Sequence, residues 1–277
     1  MDKDLQNTLE KFAHSDQQLT VLTGAGVSAE SNIPTFRGHE GYWTIGSREY
    51  HPQEMATFRM FTEKPYEVWK WYLYRKNICQ KAEPNPGHVA IAQMETLFKN
   101  RFTLITQNVD GLHIRAGNTI KRTFQIHGNI SFMRCVNECA SKIFPLPENL
   151  CGKEKGSDLT DDEKKLLRCQ DCGSFTRPHV LWFDEAYNET YYSYQNALNT
   201  AEKTELLLIV GTSGATNLPN QVATLVHHNK GMIIDINIEP NTFTNLALSA
   251  EKGYFIKQQS SVALPSILDV FKTCKVS

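Results

Sequence analysis

Six short apolar runs punctuate the chain, at 19–22, 102–105, 179–183, 206–210, 232–236 and 254–256. Several are continuous rather than alternating, which is the pattern of strands covered on both faces. Between them lie segments of helical character at 66–80, 88–99, 190–202, 221–229 and 264–272. This alternation of strand and helix predicts an α/β fold, a mostly parallel sheet with helices on both faces. Two stretches interrupt it: 38–82, rich in aromatic residues, and 128–177, which holds close cysteine pairs around a polar centre. On this reading 1–37, 83–127 and 178–277 build the sheet domain. A helical module over 38–82 and a cysteine-bearing module over 128–177 together form a smaller domain. A ligand cleft is expected where the two meet.

Composition narrows the class without naming a function. The 277 residues are 40% hydrophobic and 21% charged, enough to bury a core and unlike a disordered chain. The longest aliphatic run, 206–210, is far short of the roughly 20 residues that span a bilayer. The first residues show no basic stretch followed by an apolar one, so a cytoplasmic protein without membrane association is expected. A net charge of −1 and no basic run argue against direct nucleic-acid binding.

Seven cysteines, an odd number, disfavour a disulfide framework and point to reduced thiols. Four of them fall in a C-x3-C pair, Cys135 and Cys139, and a C-x2-C pair, Cys169 and Cys172. Thiolates so spaced can take the corners of one structural zinc site, because a closed four-cysteine set leaves no open position for catalysis. Cys151 is a competing ligand on spacing, and four free thiols are the bland alternative. Cys79 and Cys274 are expected to be inert.

The run 19–23 leads into Gly24-Ala25-Gly26-Val-Ser28-Ala29. A strand entering such a turn resembles the Rossmann-like phosphate loop, in which glycines let the backbone approach a pyrophosphate. A Gly-x-Gly after a strand is also an ordinary tight turn, and the acidic ribose ligand usual about 20 residues later is missing. The continuation is more specific. Residues 24–38, Gly-Ala-Gly-Val-Ser-Ala-Glu-Ser-Asn-Ile-Pro-Thr-Phe-Arg-Gly, resemble the NAD-binding signature of the sirtuins, the NAD-dependent protein lysine deacylases. The similarity continues through Thr106-Gln-Asn-Val-Asp110, His127-Gly128, the paired cysteines, Pro178-His-Val-Leu-Trp-Phe183, Gly211-Thr-Ser213, Ile236-Asn237 and Leu264-Pro265.

The resemblance implies that NAD is cleaved to remove an acyl group from lysine, giving nicotinamide and O-acyl-ADP-ribose. It places nicotinamide near Ile33, Asn108 and Asp110, Phe36 over the ribose, and Arg37 at the phosphates. Gly24, Ala25, Gly26, Ser28, Gln107, Gly211, Thr212, Ser213, Asn237, Glu239 and Ser260 complete the expected cofactor contacts. His127 ends the alternating stretch 123–126 and is the general-base candidate among nine histidines, its ordinary pKa near 6.5 suiting proton removal at neutral pH. Several positions depart from the family pattern. Asn32 and Asp184 stand where glycines are usual, the 211–219 loop is one residue longer, and 258–261 lacks the glycines common near adenine.

Tyr72 and Arg75 stand at i and i+3 on an expected helix and share a face. They align with the Tyr-x-x-Arg of class III sirtuins, which favour succinyl, malonyl or glutaryl groups, and Ala56 matches the small residue that widens their pocket. The resemblance thus implies acidic acyl-lysine proteins or peptides as substrates, some deacetylation, and a monomer. Competing readings are a general deacetylase, an NAD glycohydrolase or ADP-ribosyltransferase, and a zinc-ribbon binding module without catalysis. Tyr72 and Arg75 speak for deacylation, and His127 with Asn108 and Asp110 against a purely binding role.

Overall fold

In the computed structural model, which describes residues 2–34 and 43–275, the continuous apolar runs become buried parallel strands. In chain order the strands are β1 (Leu19–Thr23), β2 (Trp43–Ile45), β3 (Arg48–Tyr50), β4 (Phe102–Thr106), β5 (Thr123–Gln125), β6 (Gly128–Cys135), β7 (Ile143–Pro145), β8 (Thr176–Val180), β9 (Leu206–Val210), β10 (Met232–Asn237) and β11 (Gly253–Lys257). Six of them form the main sheet in the order β11-β10-β9-β1-β4-β5, every pairing parallel. Two sets of three strands thus run outward from the centre, so the chain reverses its direction of travel between β1 and β9. That switch point, at the carboxyl ends of the strands, is where doubly wound sheets bind ligands.

The strands read as unbroken apolar runs because both faces are covered. From β9, Leu206, Leu208 and Val210 face one layer, with Leu9 and Phe12 of helix Lys3–His14, Met94 of Pro86–Phe98 and Phe271 of Ser260–Lys275. Leu207 and Ile209 face the other, against Ala197, Val222 and Phe243. Each such side chain contributes about 1.5 to 3 kcal/mol by leaving water. The helix Lys3–His14 was not anticipated. Its short amphipathic pattern, Leu5, Leu9 and Phe12, packs on the helix Ser260–Lys275.

One strand lies elsewhere than the alternation suggested. The 179–183 run does not enter the main sheet. Its first residues end β8, which pairs antiparallel with β6 in a three-stranded sheet ordered β7-β6-β8. The edge of the main sheet is taken by β5 instead. Continuous hydrophobicity reports burial on two faces but not the partner, and β8 is covered by the small-domain core. The expected 177/178 border therefore falls within β8. Gly128, at φ 81, begins β6 so close to β8 that an added Cβ would meet the His179 carbonyl at 2.1 Å. The expected 190–202 helix is split by Ser193, at φ 50, into Glu189–Tyr192 and Tyr194–Ala201.

The 38–82 stretch contributes the β2–β3 hairpin and helices Pro52–Met55, Phe58–Glu63 and Pro65–Lys81. Its Trp69, Tyr72 and Leu73 share one apolar cluster with Ile130, Leu150, Leu167 and Trp182. Among the described residues, no helix is long and apolar enough to cross a membrane.

Candidate active site

A cavity of about 640 Å³ opens over the carboxyl ends of β1, β4, β5, β9 and β10 and is closed on the far side by Tyr72, Arg75 and Trp182 of the small domain. Ala25, Gly26, Ser28, Ile33, Gln107, Asn108, Asp110, His127, Gly211, Thr212, Ser213 and Asn237 all line it, together with Ala56. Gly24 lies just behind the wall. Glu239 pairs on the surface with Lys257 at 3.2 Å, and Ser260 is buried against the Glu30 carboxylate; neither lines the cavity. Phe36 and Arg37 lie outside the described residues.

The glycines after β1 serve a close approach different from the one expected. A Cβ on Gly24 would stand 2.5 Å from the Thr212 Cβ, and one on Gly26 would stand 2.7 Å from the Gly211 Cα. The turn thus nests against the loop after β9, with the Gly26 amide donating to the Gly211 carbonyl at 2.8 Å. The two backbones are thereby held side by side at the switch point, an approach that a side chain on Gly24 or Gly26 would prevent.

Ser28 joins that turn to the loop after β4. Its hydroxyl accepts from the Asn108 amide at 3.0 Å and donates to the Asp110 carboxylate at 2.7 Å, while Asn108 also donates to the Gly24 carbonyl. Asp110 accepts in addition from the Leu112 amide at 2.8 Å. An amide and a carboxylate are thereby fixed beside Ile33. Gln107 bridges to the β9 loop, donating to the Thr212 hydroxyl at 2.9 Å and accepting from Thr216 at 2.9 Å. The residues present suit a dinucleotide: a Cβ-free cradle for the phosphates and a buried hydrogen-bonding pair for a carboxamide.

His127 hangs from the end of β5 with both ring nitrogens engaged. Nδ1 lies 3.0 Å from the Gln107 backbone carbonyl, which can only accept, so Nδ1 carries the proton and Nε2 keeps its lone pair. Burial pushes the imidazole down to about 4, against the raising effect of the Gln107 carbonyl. Nε2 lies 2.8 Å from the hydroxyl of Tyr187, a cavity residue that sequence reasoning missed. Nothing in local spacing links a tyrosine to a histidine 60 positions earlier.

Tyr72 and Arg75 are both buried and both face the cavity. The Trp182 indole donates to the Tyr72 oxygen at 2.9 Å, which leaves the phenol proton as a donor, and burial raises the phenol well above its usual range. Arg75 donates to the Pro34 carbonyl at 3.5 Å and lies 5.5 Å from the Trp71 ring. Burial lowers its pKa, but a guanidinium keeps its charge at neutral pH. Ala56 is buried opposite, its carbonyl accepting from the Phe183 amide at 3.0 Å.

Two of the departures find structural roles. Asn32 sits at φ 61, a conformation that asparagine tolerates better than most residues. Asp184 accepts from the amides of Phe58 and Arg59 at 2.7 and 3.1 Å, capping helix Phe58–Glu63 from across the cavity rim. Asp184→Gly is expected to cost about 1 kcal/mol, read as a lower urea midpoint. An unchanged midpoint would leave those two bonds without weight.

Away from the cavity, the sulfurs of Cys135, Cys139, Cys169 and Cys172 all lie within 4.8 Å of one another. The Cys135–Cys172 and Cys139–Cys169 separations are 3.5 and 3.6 Å. A tetrahedral site with Zn–S near 2.3 Å requires about 3.8 Å between sulfurs, so the cluster fits the metal. Cys151 stands outside it, its thiol directed at the Pro147 carbonyl, which removes it as a competing ligand. The cluster is tied to the cavity wall through β8. Arg177 pairs with Glu185, which also accepts from the Trp182 amide, and its guanidinium lies 3.5 Å from the Trp182 ring.

A parallel sheet of this strand order, with a small-residue cradle and a deep cavity at its switch point, defines a Rossmann-like α/β protein carrying a small metal-binding domain. The Sir2 family model matches residues 24–217. The chain belongs to the Sir2 family. A protein from Leptospira interrogans named NAD-dependent protein deacylase is 35% identical over 265 residues, covering 95% of this chain and 97% of the relative. The solved complex of a Sir2 homologue with NAD superposes with a TM-score of 0.79 at 32% identity, covering 99% of this chain and 95% of that one. The structure of Sir2Af2 bound to a myristoylated histone peptide superposes at 0.71 with 25% identity, covering 100% and 99%.

Proposed function

We propose that the chain is an NAD-dependent protein lysine deacylase that favours acyl groups ending in a carboxylate, succinyl or malonyl, and retains some deacetylation. The observation that carries the acyl preference is the burial of Tyr72 and Arg75 in the same cavity as His127, Asn108 and Asp110. A guanidinium with a phenol donor nearby is a carboxylate receptor. The NAD-linked activity is supported by family membership and by the names of the relatives.

Bound NAD would supply the labile nicotinamide–ribose bond. Ser28 orients Asn108 and Asp110 to hold the carboxamide against Ile33. The Gly24–Gly211 cradle admits the phosphates, and the small-domain wall excludes water. His127, its tautomer held by Gln107, takes up a proton at Nε2. The cysteine cluster would hold one structural zinc. Zinc thiolates and the three remaining thiols, Cys79, Cys151 and Cys274, suit a reducing compartment, and we place the protein in the cytoplasm.

Arg75→Met tests the acyl preference. A charge-assisted contact is worth roughly 1.5 to 3 kcal/mol, so about 10- to 150-fold in kcat/KM should be lost on succinyl-lysine peptides, mainly through KM. Acetyl peptides lack the carboxylate and should lose far less. Equal losses on both would reduce the reading to a general deacetylase.

A further inference from the structure

We propose that Tyr187 is a latch on His127: its phenol donates to Nε2, and a ribose hydroxyl must take its place before the imidazole can accept a proton. The proposal rests on the deacylase reading for the identity of the displacing group, but the latch itself is a property of the protein alone.

The geometry is specific. The Gln107 carbonyl at 3.0 Å fixes the proton on Nδ1, so the one lone pair of the neutral ring is on Nε2, 2.8 Å from the Tyr187 hydroxyl. One lone pair accepts one strong hydrogen bond. A second donor therefore displaces the first. The partners come from two adjoining segments that border the cavity, His127 from the end of β5 and Tyr187 from the stretch after β8, where the Leu181 amide donates to the His127 carbonyl at 2.9 Å, so the bond links two elements rather than bracing one. The Tyr187 ring is stacked on Tyr194 at 6.3 Å, which holds the ring while the hydroxyl changes partner.

Burial pushes the phenol up to about 12, which keeps it a donor throughout the working range. The other ionisable groups of the cavity are Asp110, Glu185, Tyr72, Arg75 and Cys79. Among the described residues, only Tyr187 is hydrogen-bonded to the His127 ring through a side chain. The latch keeps the base neutral and correctly turned, and it couples the freeing of the base to arrival of the cofactor.

Four measurements test this, none of which requires turnover. In histidine-labelled protein free of ligand, NMR should show His127 as the Nδ1–H tautomer. Tyr187→Phe should raise its pKa by about 0.4 to 1 unit, because the lone pair is no longer occupied. By calorimetry the same variant should bind ADP-ribose roughly 2- to 12-fold more tightly, since no phenol has to be displaced. In the wild-type protein, ADP-ribose should shift the Nε2 resonance, a readout that does not depend on any variant folding. An unchanged pKa, or unchanged or weaker ADP-ribose binding by Tyr187→Phe, overturns the latch; weaker binding would make Tyr187 a partner of the ribose itself. If the wild type failed to bind ADP-ribose, the deacylase reading would fall, and a raised His127 pKa in the variant would still stand.

Discussion

His127→Ala is expected to lower turnover of acyl-lysine peptides by about 10²- to 10⁴-fold, the usual worth of a positioned general base. The fold and cofactor affinity should be largely kept. The imidazole is fixed by the Gln107 carbonyl on one side and faces the cavity on the other, so its loss removes a proton acceptor and little packing. Because burial pushes its pKa down to about 4, the ring is neutral across the physiological range. The acid limb of kcat/KM should then owe nothing to His127 above about pH 5. Steady-state kinetics beside calorimetric binding of ADP-ribose decides the matter. Near-normal turnover in a folded variant would remove His127 from the chemistry.

Loss of a cysteine ligand should be more destructive still. Structural zinc contributes about 10 to 16 kcal/mol in small metal-folded domains, comparable with or above the 5 to 15 kcal/mol that typically holds a whole protein folded. Cys169→Ala is therefore expected to lose its metal and to melt at least the β7-β6-β8 sheet, since Cys135 of the same cluster ends β6 and is paired there with Thr176 of β8. Cys151→Ala, outside the cluster, should do neither. Elemental analysis should give one zinc per chain in the freshly purified, reduced wild type. Absence of zinc there would end the idea of a metal-built domain.

How far the sequence went in advance follows from what each signal encodes. Runs such as Leu206–Val210 announced their strands because burial on two faces leaves no polar position to mislead. The 179–183 run misled because its buried members, Val180 and Trp182, pack with Trp69 and its neighbours rather than with the main sheet's helices, while Phe183 is exposed. The helix Lys3–His14 was overlooked because four apolar residues in twelve, one of them the small Ala13, make a thin stripe. In the site, short-range motifs were legible: Gly24 to Ser28, Gln107 to Asp110, and the cysteine pairs. The Tyr187–His127 bond and the Trp182 donation to Tyr72 span 60 and 110 positions, and no local pattern records such meetings. A motif residue can also serve a purpose that the motif does not announce. Gly26 is needed first for the neighbouring loop at Gly211.

Arg177 has a consequence for how such a chain can diversify. It stands in β8 between the cysteine loop and the wall that carries Trp182 and Glu185, gripping the second while belonging to the first. Trp182 in turn sets the phenol of Tyr72. Substitutions that retune the Tyr72 wall of the cavity are therefore inherited by the sheet that carries the cysteine cluster, and the reverse. Lineages of this protein would be free to drift at the outer surface, as at Ile120 or Leu248, but obliged to change these two regions together.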